Sequence, residues 1–333
     1  MRLDIHIPQY TQPYFEGYPP FNNVKSSDSA VSDIMKLITY HKKEGYGLGA
    51  VVGDYVIDLK EETGACCIFS LLDMGDEGME KAGKAVEKAE ARIKEGNVDG
   101  LLKLEGLKLA APIPRSRKNI VCLGLNYAEH VKEGGSDRDL PPHPIFFTKP
   151  STTITGPTDP VLYHKATERL DYEVELAFVI GKKGKDIAKE DALSHIAGYM
   201  VMQDISARAL QRQHLQWYRG KSQDTFAPMG PYLVTPDEVG DPGKLDIWCK
   251  VNGVMRQNAN TEDLIFDIPT IISTLSDGIT LEVGDIFATG TPSGVGAAYM
   301  KNGVSGLLQV GDIIESGIQH IGTMRNVVVS ELP

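Results

Sequence analysis

Between Leu170 and Ile180 the side chains alternate, with Tyr172, Val174, Leu176, Phe178 and Ile180 interleaved with Asp171, Glu173, Glu175, Ala177 and Val179. A period of two is that of a β-strand, whose successive side chains point to opposite faces. Glu173 and Glu175 therefore share one face at a spacing of about 7 Å, and that face turns apolar at Ala177 and Val179. Carboxylates that enter an apolar surface need compensation. The next strand, Gly198 to Asp204, ends in a third carboxylate, and a helix expected near Lys189 to His195 returns the chain to set Asp204 beside the glutamates. Three carboxylates suit a hard cation such as Mg²⁺. On the Glu-x-Glu spacing alone, the competing reading is a half-exposed strand with both glutamates in solvent.

A second constellation lies in Gly124 to Gly135, which reads as a short helix closed by two glycines. His130 and Glu133, three residues apart, share one face of it. A carboxylate that orients a histidine is what a general base for water requires; a surface pair at the same spacing is the alternative. His143, within Leu140-Pro-Pro-His-Pro144, is assigned to a loop.

Around these residues the chain is built from short apolar runs broken by glycines. Residues 1–34, rich in Pro, Tyr, Ser and Asn and without periodicity, read as an N-terminal extension whose composition leans towards trailing in solvent. Leu37 to Tyr40, Leu48 to Val52 and Tyr55 to Leu59 form a β meander, with Gly53-Asp54 as a hairpin turn. The Gly-rich stretch from Gly45 to Ala50 is not a dinucleotide loop, because a strand rather than a helix follows it. Glu77 to Lys94 reads as a surface helix ending near Gly96, and Pro112 and Pro114 mark a boundary. A later helix spans Asp267 to Ser276, capped by Asp267, with Pro269 in its first turn and Gly278 closing it. Leu281-Glu-Val-Gly-Asp-Ile-Phe and Leu308-Gln-Val-Gly-Asp-Ile-Ile echo each other 27 residues apart, each a Gly-Asp turn feeding a strand. The fold class is therefore mixed α+β and β-dominated, with a rolled or barrel-like core rather than a parallel βαβ sheet.

Charge narrows the partners: 45 acidic against 34 basic residues give a net charge of −11, which disfavours nucleic acid and anionic membranes. There is no basic, then apolar leader and no run of about 20 apolar residues, so a cytosolic (cytoplasmic) location is expected. The cysteines, Cys66, Cys67, Cys122 and Cys249, form no CxxC pair. A disulfide between the adjacent two would be strained, so all four are expected to be reduced and buried. Cys122, in an apolar run, is expected in the core without a chemical role.

Asn126-Tyr-Ala-Glu-His130, Phe147-Thr-Lys-Pro-Ser151, Glu173-Val-Glu175, Asp204-Ile-Ser-Ala-Arg208, Lys221-Ser-Gln-Asp224 and Thr289-Gly-Thr-Pro-Ser-Gly294 occur in this order. Together they resemble the fumarylacetoacetate hydrolase family, from about Arg117 to Val328. The resemblance implies a β-roll catalytic domain over 111–333, a smaller N-terminal domain over 35–110, and a homodimer. It implies Mg²⁺ or Mn²⁺ held by Glu173, Glu175 and Asp204, with His130, Glu133 and Lys221 catalytic. Gln211, Arg208, Thr291 and Tyr127 fall in matched motifs as substrate contacts, Arg208 also supporting the metal shell, and residues 134–142 fall as a lid.

The reaction the resemblance implies is hydrolysis of a C–C bond in an acylpyruvate-type 2,4-dioxo acid such as fumarylpyruvate, within aromatic catabolism. His130, assisted by Glu133, would activate water, Lys221 would stabilise the oxyanion, and pyruvate would leave as a metal-held enolate. The alternative is decarboxylation or isomerisation of 2-oxo or 2-hydroxy-dienoate diacids, such as oxaloacetate or 2-hydroxyhepta-2,4-diene-1,7-dioate, which needs no attacking water. Met202-Gln203 departs from the small residue and Asn usual before the aspartate. A non-catalytic descendant is disfavoured because every ligand is retained, and a serine hydrolase because Ser293 sits one position late for a Gly-x-Ser-x-Gly turn.

Overall fold

A computed structural model describes residues 34–133, 139–298 and 305–331. Apart from Ile34, the expected extension lies outside the described residues, as do positions 134–138 of the expected lid.

The strands open with β1 (Lys36–His41), β2 (Tyr46–Val52), β3 (Tyr55–Asp58) and β4 (Leu102–Lys103). Next come β5 (Ile120–Gly124), β6 (Ile145–Lys149), β7 (Ile154–Thr155), β8 (Val161–Tyr163), β9 (Leu170–Asp171) and β10 (Val174–Ile180). They continue with β11 (Ile196–Gln203), β12 (Ser206–Ala207), β13 (Ala227–Val234), β14 (Asp246–Val251) and β15 (Val254–Asn260), and end with β16 (Ile286–Ala288), β17 (Ile313–Ile318) and β18 (Gly322–Ser330). One sheet runs β4-β3-β2-β1-β13-β11-β10-β16-β5-β6, and a second runs β15-β14-β17-β18-β8. The fold is mixed and strand-dominated.

The meander forms as the sequence predicts, and Leu37 of β1 pairs with Leu233 of β13, so it continues into the main sheet. Strand β10 is buried along its whole length because two cores meet on it. Val174, Leu176, Phe178 and Ile180 pack towards Ile247, Cys249, Val251, Ile314 and Ile318 of the second sheet. Ala177 and Val179 join the other core with Cys122, Met200, Met202 and Ala288. The face that carries Glu173 and Glu175 therefore meets protein rather than water.

Several local expectations hold for the reasons given. The helix Ile268–Ser276 is capped by the Asp267 carboxylate, which accepts from the Thr270 N–H at 2.8 Å. In the two Gly-Asp echoes, Asp285 accepts from the Glu282 N–H at 2.9 Å and Asp312 from the Gln309 N–H at 2.7 Å. Helix Asp76–Lys94 buries a seam of Ala82, Ala85, Val86 and Ala89 and carries Glu77–Lys81 and Glu80–Lys84 pairs outside. The segment Lys189–His195 does return the chain, but as a 3₁₀ helix. The cysteines divide: Cys122 and Cys249 are buried, whereas Cys66 is exposed and Cys67 half-buried, which corrects the expectation that all four sit in the core. A five-residue helix begins after Cys67, and that position lies at the surface. Among the described residues no helix is long and apolar enough to cross a membrane.

Candidate functional site

The antiparallel register of β10 and β11 builds the carboxylate cluster. Val174 faces Gln203 and Glu175 faces Met202, so Glu173, just before β10, meets Asp204, just after β11. The Asp204 N–H donates to the Glu173 carbonyl at 2.8 Å. One oxygen from each of Glu173, Glu175 and Asp204 lies within 4.8 Å of the other two. Their residues are 4%, 1% and 0% exposed, which rules out glutamates turned to solvent.

Buried cations face this cluster. Lys221 Nζ lies 2.6 Å from both Glu173 Oε2 and Asp204 Oδ2. Lys149 Nζ donates to Asp204 Oδ1 at 2.6 Å and to the Ile205 carbonyl at 3.2 Å. Arg208 spans two acids, with Nη2 2.5 Å from Glu173 Oε1 and Nε 2.8 Å from Asp171 Oδ2. Burial pushes the Glu173 carboxyl up, but Arg208 and Lys221 more than offset this and hold it well below the usual carboxylate range. Burial pulls the Lys221 ammonium down, and Asp204 and Glu173 raise it above its ordinary value. For Lys149 burial prevails and the ammonium is lowered.

Glu175 is different. Among the described residues no cationic side chain bonds to it; it accepts from the Gly290 N–H at 2.9 Å. Burial, then the charges of Asp204 and Glu173, push its carboxyl well above the usual range. Among the described residues, the buried acids Asp171, Glu173, Glu175 and Asp204 have between them three buried cationic partners, Lys149, Arg208 and Lys221, so one negative charge is uncompensated when all are ionised. A divalent cation would fit this deficit: its ligands are hard oxygens, and it would relieve Glu175. Tyr127, 2% exposed, adds a buried hydroxyl with no protein partner among the described residues, close enough to Glu175 to feel its charge.

His130 and Glu133 form the expected pair, with Nδ1 3.1 Å from Oε2 and side chains 15% and 22% exposed. It is not a surface pair. Glu133 Oε1 accepts from the Gly294 N–H at 2.5 Å, so the Thr-Gly-Thr-Pro-Ser-Gly turn anchors the carboxylate that orients the histidine. Gly294 has φ +103°, and a Cβ there would stand 1.9 Å from the Arg256 carbonyl oxygen. With Nδ1 turned to Glu133, His130 Nε2 has no hydrogen-bond partner among the described residues, and a positive charge on the ring would act on Glu173.

The remaining expected contacts lie around this centre. Gln211 Oε1 accepts from Arg208 Nη1 at 3.1 Å. The Thr291 hydroxyl donates to the Val174 carbonyl at 2.9 Å and accepts from Gln257 Nε2 at 2.8 Å. Gln203 points inward, accepting from the Glu173 N–H at 2.9 Å and donating to Ser316 Oγ at 2.7 Å, while Met202 is wholly buried. Their departure from the usual pair is absorbed by packing.

Three residues to which the sequence reading gave no role also shape the site. Lys149 is a lone charge in an otherwise uncharged strand, a signal that could have marked it. Asp171 takes the Gly296 and Ala297 N–H groups as well as Arg208, tying the segment after the glycine-rich turn to the cluster. The Asn126 amide holds the Phe266 backbone on both sides and the Thr289 carbonyl.

Comparison with known proteins agrees with this geometry. The family model for the fumarylacetoacetate (FAA) hydrolase C-terminal region matches residues 119–329. The chain is 46% identical over 262 residues to oxaloacetate tautomerase YisK of Bacillus subtilis (strain 168), covering 78% of this chain and 86% of that one. It is 37% identical over 303 residues to the mitochondrial oxaloacetate tautomerase fahd2 of Xenopus laevis, covering 89% and 90%. The structure of maleylpyruvate hydrolase from Sphingobium sp. SYK-6, in complex with manganese(II) ion and pyruvate, is similar with a TM-score of 0.70 at 33% identity, covering 90% of this chain and all of that one. The chain belongs to the fumarylacetoacetate hydrolase family, whose members include hydrolases, isomerases and tautomerases.

Proposed function

We propose that this protein is a divalent-metal-dependent enzyme that interconverts the keto and enol forms of a 2-oxo diacid of the oxaloacetate type. One observation carries the reading: His130, oriented through Nδ1 by an anchored Glu133, lies close enough to the buried carboxylate triad for a charge on its ring to act on Glu173. The identity to two oxaloacetate tautomerases favours proton transfer over water attack as the use of that histidine.

The triad of Glu173, Glu175 and Asp204 would hold Mg²⁺ or Mn²⁺, which when bound polarises the 2-oxo group and acidifies the adjacent C3–H. In the keto-to-enol direction His130 Nε2 takes the C3 proton and passes it to solvent, from which the 2-oxygen is protonated to complete the enol; the reverse direction runs the same transfers backwards. Glu133 stabilises the imidazolium that forms and fixes the tautomer with Nε2 free. Lys221 keeps its proton and presents positive charge to the substrate oxygen on which negative charge develops. The surplus positive charge of the loaded site favours the dianionic substrate.

Hydrolysis of a C–C bond in an acylpyruvate is the second reading, favoured by the likeness to maleylpyruvate hydrolase and by a dyad that can equally activate water. Products separate the two. Oxaloacetate enol should be lost on adding enzyme and Mg²⁺ with no change in mass, and C3 hydrogens should exchange in heavy water; release of pyruvate and a carboxylic acid from acylpyruvate, without acceleration of ketonisation, would replace the first reading by the second.

A further inference from the structure

We propose that the cavity between the meander and the helix Ile68–Leu72 is a second ligand site, which takes a small monocarboxylate with an apolar body. Its volume is about 280 Å³, and its walls come from β1, β2, the start of that helix and the segment 112–115. No residue of the metal triad or of the His130–Glu133 dyad lines it.

The lining is graded from apolar depth to cationic mouth. Thr39, Ile68 and Ile113 are 3%, 1% and 1% exposed, and the Thr39 hydroxyl is already committed to the Pro112 carbonyl at 2.7 Å. Desolvating a charge among these residues would be costly, whereas a hydrocarbon body is favoured there. Tyr46, Cys66 and Arg115 are the exposed members of the lining. Arg115 has no ion pair or hydrogen bond among the described residues, and no acidic side chain lines the cavity, in a chain whose net charge is −11. Its neighbour Arg117 is already engaged, donating from Nη1 to Asp73 Oδ1 at 2.8 Å and stacking over the Phe69 ring at 4.5 Å. The charges of Lys60 and Arg117 reach the two cysteines, so the whole mouth favours an anion. The planar fork of Arg115 matches one carboxylate in geometry as well as charge. The cavity lies just below the roughly 300 to 1,000 Å³ of pockets for drug-sized ligands, so it suits a molecule of about ten non-hydrogen atoms.

Cys66 supplies the readout. It is exposed, and Ser70 and then Cys67 pull its thiol below the ordinary value, so it should react with iodoacetamide unless the mouth is covered. In the reduced full chain, octanoate and phenylacetate should slow alkylation of Cys66, followed by mass spectrometry, with half-protection at about fivefold or more lower concentration than the neutral octanamide and phenylacetamide. Acetate, which lacks the apolar body, should not protect. Arg115→Gln, a substitution at an exposed position, should bring acid and amide within about twofold of each other while leaving half-protection by the amides as in the wild type. No protection by either acid, equal protection by acid and amide in the wild type, protection by acetate at the same concentration, or a preference for the acid that survives Arg115→Gln would overturn the proposal.

Discussion

Lys221 places its ammonium 2.6 Å from Glu173 Oε2, with both side chains buried. Because the same ammonium also reaches Asp204, it competes with a divalent ion for two of the three carboxylates. Lys221→Met should therefore tighten Mg²⁺ binding, measured by calorimetry, while lowering turnover by about 10² to 10³, the loss expected when a charge stabilising a developing oxyanion is removed. Weaker Mg²⁺ binding in the variant would show that the lysine supports the ion rather than opposing it.

The dyad separates chemistry from metal binding. His130→Asn and Glu133→Gln should each reduce turnover, the histidine by about 10² to 10⁴, yet leave the thermal shift produced by Mg²⁺ as in the wild type. A variant that loses both together would place His130 in the metal shell.

Gly294 links the glycine-rich turn to the dyad, through an N–H that Glu133 accepts. Gly294→Ala introduces a Cβ into a left-handed backbone position against the Arg256 carbonyl, a strain of about 1 to 3 kcal/mol. A lower melting temperature, with turnover falling towards that of Glu133→Gln, is the expected result. Wild-type kinetics in a folded variant would detach the turn from catalysis.

The pH dependence of the metal-free protein follows from Glu175. Its folded-state pKa is raised by burial and by Asp204 and Glu173, so it costs no stability below its unfolded value of about 4.5, and the cost grows as pH rises from there through the folded value. In chelator, Glu175→Gln should melt above the wild type at neutral pH, and the difference should shrink as pH falls towards about 4.5. A difference that is independent of pH would remove the buried charge as its cause.

What the sequence made legible was local. The strand from Val174 to Ile180, the cap at Asp267, the Gly-Asp echoes and the spacing of His130 to Glu133 each depend on residues within one element. Lys149 escaped because its partner, Asp204, lies 55 residues away and only the fold joins them. The pairing of Leu37 with Leu233 is equally non-local. So is the role of Asp171, which gathers Arg208, Gly296 and Ala297 from distant segments. Cys66 and Cys67 misled because cysteine is usually buried, whereas their position before a short surface helix is set by chain geometry. The 3₁₀ form of Lys189–His195 was not legible because its residues carry no period that separates it from an α-helix.

The central claim, a divalent ion at Glu173, Glu175 and Asp204, is tested most directly by melting the wild type and Glu175→Gln with and without Mg²⁺ after chelation. Ion at 100 times its dissociation constant should stabilise the wild type by about 2.7 kcal/mol, leave Glu175→Gln little changed, and reverse the order the two show in chelator. No shift in the wild type, or an equal shift in both proteins, would contradict the account.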